Sequence, residues 1–319
     1  MNKSKLIFVL LTSLALGACS NDDEQVPQQP KSYPLTIEVK ENPLIPDGEE
    51  GGTATRAAIT TNSTLTGFYM DYKYSSTGSD GTAPFTATKG SEGKWSSTGS
   101  WPYTSGEVTW YAYSIFDNSK SIQFHLNDGN PYLRFIVEEA AASQHDLLVT
   151  KTAKTYDSNN STISFTFDHA CAALRFYVKK ATNLSTSPLT VTSIRLCNVK
   201  KDGKYYFDSR EWQSVQTDVN YTLYSGTAKT INSESYELLN GSEDNSYLFL
   251  IPQTLTAWNP TEALSNTYLE VTCSINGGAS QTAYIPFGTS FDQGKKYDVR
   301  INIGKNSLYN SSGSLVINP

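Results

Sequence analysis

Apolar and polar residues alternate in short runs along most of the chain. Leu35, Ile37 and Val39 fall on one side of a run, with Thr36, Glu38 and Lys40 on the other. That is the pattern of a half-buried strand. Ile163, Phe165 and Phe167 alternate with Ser164 and Thr166 in the same way. Further strand-like runs cover residues 65–74, 107–116, 121–126, 145–152, 173–180, 189–199, 221–226, 246–252, 267–275, 281–287 and 295–304. Asp202-Gly203 and Asn276-Gly277-Gly278 carry hairpin-turn chemistry. Residues 42–52, with two prolines and three glycines, predict a break in regular structure. Only Glu138–Gln144 suggests a short helical turn. Strands of this length and spacing predict an all-β chain of β-sandwiches. A boundary near Asp168 separates two sandwich-sized halves, 57–168 and 169–319.

Composition supports strands. The chain has 319 residues, enough for two domains, and 20 tyrosines, a residue favoured in strands. The formal net charge is −6 and there is no long basic run, which argues against nucleic acid as a main partner.

The N-terminus is a targeting segment. Lys3 and Lys5 precede an apolar stretch, Leu6 to Leu16, too short to span a bilayer. It ends in Leu16-Gly17-Ala18-Cys19, which matches a bacterial lipobox. Residues 1–18 then read as a signal peptide, and the match implies diacylglycerol and palmitate-type acylation at Cys19. Two or three acyl chains, at ~0.8 kcal/mol per buried methylene, hold a protein on a membrane. The acidic Ser20–Glu24 that follows resembles the surface-export signal of Bacteroidetes lipoproteins. Residues 19–56 begin as a polar, proline-containing tether.

Catalytic patterns are missing from the sequence. His125, His145 and His169 lack zinc-type spacing, and there is no nucleophile elbow, P-loop or dinucleotide fingerprint. No cofactor or metal is expected. Asp168-His169 reads as a structural histidine at the domain junction. Excluding Cys19, Cys171, Cys197 and Cys273 are an odd set, expected to be mostly buried apolar residues. Among the five tryptophans, Trp95 and Trp101 flank Gly/Ser-rich stretches and are the candidates for a glycan contact.

The order of several short motifs resembles the fimbrillin (fimbrillin-like) family, the type V pilins of Bacteroidetes. These are the lipobox, the strand LTIEVK, Thr55-Arg56-Ala57, FDHACAALRFYV, YLFLIPQTL and KKYDVRINIG. The resemblance implies two transthyretin-like β-sandwich domains in tandem; the missing catalytic patterns predict no enzymatic activity. It implies a surface-exposed outer-membrane lipoprotein precursor, cut between Arg56 and Ala57 by an arginine-specific protease. A removable first strand bearing Leu35, Ile37 and Val39 would then leave a groove. A donor strand from the C-terminal segment of another subunit, with Leu308, Leu315, Val316 and Ile317 as candidate anchors, would fill it. Implied partners are other pilin subunits, the membrane through Cys19, and a host or bacterial surface ligand. The rival reading is a lipid-anchored surface glycan-binding protein; a glycoside hydrolase is more remote.

Overall fold

The structure is a computed structural model. It describes residues 33–46, 65–74, 84–114, 122–126, 129–184, 186–232, 235–239 and 247–309. Twenty strands and three single 3-10 turns make up its regular elements; the described residues hold no α-helix. The short helical turn expected at Glu138–Gln144 is one of these 3-10 turns, Ala141–Ser143.

Seven strands form the first sheet, in the order β1 (Thr36–Glu41), β10 (Thr162–His169), β9 (Leu148–Thr155), β6 (Glu107–Ser114), β3 (Gly67–Tyr74), β4 (Phe85–Lys89) and β5 (Trp95–Ser97). Period-two alternation sorts its side chains into two faces. On one face Phe68 meets Phe165, Phe167 and Trp95 at 5.3, 5.0 and 5.2 Å between ring centres. On the other, Tyr111 and Tyr113 pack on Phe124 at 6.0 and 5.6 Å, and Tyr111 also meets Phe207 at 5.4 Å.

The second sheet runs β14 (Glu237–Leu238), β11 (Ala172–Lys180), β20 (Lys295–Ile303) and β2 (Ile45–Pro46), with β15 (Leu248–Leu250) also on β11. The third runs β18 (Gln281–Pro286), β17 (Tyr268–Ile275), β12 (Leu189–Tyr206), β8 (Tyr132–Ile136) and β7 (Ile122–His125), with β13 (Glu211–Ile231) along the other side of β12. β16 (Gln253–Leu255) and β19 (Thr289–Phe291) form a separate pair.

The chain passes from the first sheet to the second between His169 and Ala172, next to the expected boundary. Sheet membership nevertheless does not divide at Asp168. β7 and β8 precede it yet belong with β12, because β12 is 18 residues long and β17 reaches only to Cys197. The remaining edge of β12, from Asp202 to Tyr206, is completed by β8.

The Asn276-Gly277-Gly278 turn joins β17 to β18, with Asn276 and Gly277 at φ of 55° and 67°. The turn expected at Asp202-Gly203 does not form. β12 runs through both residues, and Gly203 lies where an added Cβ would be 3.0 Å from the Trp212 ring. Glycine serves close packing there rather than reversal. Asp202 is buried and accepts from Arg134 Nε at 3.1 Å and Nη2 at 2.5 Å. Cys171, Cys197 and Cys273 are buried free thiols.

Candidate functional site

The segment ahead of Arg56 is built into the fold at two places. β1 runs parallel to β10, from Thr36 opposite Thr162 to Glu41 opposite Phe167. Leu35 and Ile37 are buried and Val39 is half-buried, so the alternation seen in the sequence sets the strand's inward face. On the outward face Ser164 Oγ donates to Glu38 Oε2 at 3.2 Å. β1 is the terminal strand of its sheet, and Pro34 bridges to Ser100, just past β5. The two margins of the sheet therefore meet at β1, which covers an edge that would otherwise be open.

The segment then crosses to the second sheet. The Asn42 backbone N–H donates to the Phe167 carbonyl at 2.9 Å, and Asn42 Nδ2 donates to Asp168 Oδ1 at 2.6 Å. Leu44 enters the large core, to which all three sheets contribute. Ile45 N–H donates to the Gly294 carbonyl at 2.9 Å, and Ile45–Pro46 pairs with Lys295–Lys296 as β2. The expected break at residues 42–52 thus contains a strand. Its signal was the apolar triplet Leu44-Ile45-Pro46, which the prolines obscured.

A buried polar cluster lies where β1 ends. His169 Nδ1 bonds Asp146 Oδ2, and the ring also bonds the Asn42 backbone. Burial, the largest single effect, lowers the His169 pKa. The Asp146 charge and hydrogen bond, the Asn42 bond and Glu41 together outweigh it, so the net shift is upward. Glu41, on β1, is raised chiefly by burial, against a backbone bond from Leu65 and the charges of Lys89 and His169. The partner of His169 is therefore Asp146 and not its neighbour Asp168.

Leu308, expected as a donor-strand anchor, is fully buried in this chain's own core. Tyr309 exchanges backbone bonds with Tyr284 at 2.7 and 2.9 Å and meets Trp258 edge-on at 6.2 Å. Leu308 is thus withdrawn from the donor set, leaving Leu315, Val316 and Ile317, which lie outside the described residues. Cys19, Arg56 and Ala57 also lie outside them.

The two glycan candidates separate. Trp101 is 5% exposed, donates Nε1–H to the Ser161 carbonyl at 3.0 Å and packs edge-on against Trp110, so it offers no open face. Trp95 is half-buried between Phe68 and the Lys89 ammonium, 6.0 Å above its ring. Among the described residues there is no group of three or more metal-ligating side chains, and no helix long and apolar enough to cross a membrane.

Solved structures of bacterial surface proteins share this fold. A fimbrial protein from Bacteroides vulgatus is 17% identical, with a TM-score of 0.54, over 85% of this chain and 95% of that one. A candidate cell adhesion protein from Bacteroides ovatus is 12% identical, with a TM-score of 0.51, over 87% and 94%. Among curated protein sequences no match was found. The sequence model of the fimbrillin-like family matches residues 53–319, nearly everything beyond the N-terminal segment, and the chain belongs to that family.

Proposed function

We propose that the chain is a structural and adhesive subunit of a surface fimbria, made as a lipoprotein precursor anchored through Cys19. An arginine-specific protease cuts between Arg56 and Ala57. The mature subunit, 57–319, then loses the upstream segment and accepts a donor strand from another subunit. It acts by assembly rather than catalysis.

The observation that carries this reading is the double insertion of residues 34–46. A cut at Arg56 leaves that segment held by non-covalent contacts, among the described residues those of Pro34, β1, Asn42, Leu44 and β2. Its departure strips the inward face of β10 of Leu35 and Ile37, and the main core of Leu44. Burial of such side chains is worth about 1.5–3 kcal/mol each, and an exposed sheet edge is a template for another strand.

The C-terminal residues 310–319 are the donor in this scheme. Leu315 and Ile317, two apart, share one face of an extended strand. Ten extended residues reach ~35 Å, enough to cross into a neighbouring subunit. Each subunit then offers an acceptor at one end and a strand at the other, a head-to-tail contact that does not close.

The test is treatment of the purified precursor with an arginine-specific protease. The expected outcome is a new N-terminus at Ala57, loss of residues 34–46 from the folded protein, and oligomers that resist mild detergent. A protein that is cut at Arg56 yet stays monomeric would sink the assembly scheme.

A further inference from the structure

The outward face of β11 and β20 differs from the rest of this acidic chain. Strand alternation and the parallel register set Arg175 beside Asp298, Tyr177 beside Arg300, and Lys179 beside Asn302. Tyr247 and Tyr236, reached through β15 and β14, extend the face on the far side of β11. Arg175 Nε and Nη2 donate to the Asp298 carboxylate at 2.9 and 3.1 Å. The Arg175 guanidinium also lies 5.4 Å from the Tyr177 ring and 5.3 Å from the Tyr247 ring. Lys179 and Arg300 both approach the Tyr236 ring, at 5.7 and 5.8 Å. Tyr236 is 39% exposed, and no other large apolar side chain among the described residues is as exposed.

Beside β20 this face deepens into a groove of about 430 Å³. Arg175, Lys296, Asp298 and Arg300 line it together with Phe287, Phe291 and, from β2, Pro46. With Lys179, these residues place four cations against one carboxylate on a chain whose formal charge is −6.

We propose that this face and its groove bind an acidic glycan, a sugar chain carrying carboxylates or sulfates. Each component matches one feature of such a ligand. Arg300, Lys179 and Lys296 meet the anionic groups, with Arg300 offering a planar fork. Tyr236 and the apolar wall of the groove meet the C–H faces of the rings. Asp298 and Asn302 accept from hydroxyls. Tyr236 is the one exposed ring of this face, so the face offers no row of open rings on which successive bases of a nucleic acid would stack. β11 and β20 both lie beyond Ala57, so their cationic face belongs to the precursor and to the mature chain alike, whereas the groove beside it is completed by Pro46 of β2 and in this form belongs to the precursor.

The experiment measures binding of the full chain to immobilised polygalacturonate, dextran sulfate, neutral dextran and oligothymidylate, at low and physiological salt. Binding to polygalacturonate identifies carboxylates as the recognised group, and binding to dextran sulfate identifies sulfates. Neutral dextran should not bind. Arg300→Ala should weaken binding about tenfold, the loss of one charge-assisted contact. Tyr236→Ala should weaken it with charge unchanged, and Tyr236→Phe should restore it. Lys296→Ala reports on the groove independently if either other variant melts early. The proposal is overturned by no binding to either acidic glycan, or by oligothymidylate binding as well as they do. It also fails if Tyr236→Ala leaves binding intact, since the face would then be an ion exchanger only.

Discussion

His169 has the chemistry of a clasp on the N-terminal segment. One side of its ring holds Asp146 and the other the backbone of Asn42, with Glu41 on β1, Lys89 on β4 and the Cys171 thiol nearby. Its pKa is raised, so the stabilisation is complete below the ordinary histidine value, about 6.5, and is lost as pH rises through the higher folded value. Glu41 acts in the same direction at lower pH: burial raises it, so its contribution also falls as pH rises. The denaturation midpoint of the precursor should therefore decline as pH rises above about 6.5, and His169→Gln should flatten that decline. An unchanged slope in His169→Gln would remove His169 from this role. Asp71, buried on β3 and pushed up to about 6, gives a separable signal. Stability should fall as pH rises from about 4 to 6, the interval between its unfolded and folded values, and Asp71→Asn should reduce that fall to the part due to Glu41 when unfolding is followed by circular dichroism. The sequence placed His169 as a structural histidine at the domain junction, without naming its partner. Consecutive strand residues face opposite ways, so Asp168 turns to Asn42 while His169 turns inward to Asp146, 23 positions away.

At the scale of elements, Leu44 and Gly203 test two different contacts. Leu44 links the N-terminal segment to the main core, and Leu44→Ala should cost ~2–5 kcal/mol in the precursor. The same change should speed departure of residues 34–46 after a cut at Arg56, as followed by mass spectrometry of the folded fraction. Equal release rates for the variant and the parent would mean that β1 alone holds the segment. Gly203→Ala should cost ~1–3 kcal/mol by overpacking against Trp212 and Ile251, whose atoms lie 3.0 and 3.3 Å from the added carbon. A neutral result would mean that the Trp212 and Ile251 side chains give way and that close packing does not require glycine there. These two elements also show what local pattern could convey. β1, β10, β11 and β20 were legible because their alternation is local. β2 and β8 were not, since a two-residue strand and a five-residue strand acquire their identity from β20 and β12, more than sixty positions away. The inward face of β1 could be read directly, whereas the crossing to the second sheet depends on tertiary pairing that periodicity does not encode.

For the whole molecule, the decisive asymmetry lies between the two ends. The segment 34–46 occupies positions in two sheets, while Leu308 and Tyr309 pack within the chain's own core. In the proposed assembly residues 310–319 are the strand given to a neighbour, with Leu308 and Tyr309 kept by the donor. Deleting residues 310–319 should leave the melting temperature of the precursor nearly unchanged, because Leu308 and the Tyr284–Tyr309 pairing are retained. After cleavage at Arg56 the truncated chain should stay monomeric, since it has an acceptor groove and no strand to donate. Mixed with cleaved full-length subunits, it should accept one strand and pass none on, so mean filament length should fall with its mole fraction. Length distributions from negative-stain images would read this directly. Truncated subunits that polymerise as far as intact ones would place the donor elsewhere in the chain. Truncated subunits that melt well below the parent would mean that residues 310–319 complete their own fold, and a donor role for them would fail on that ground instead.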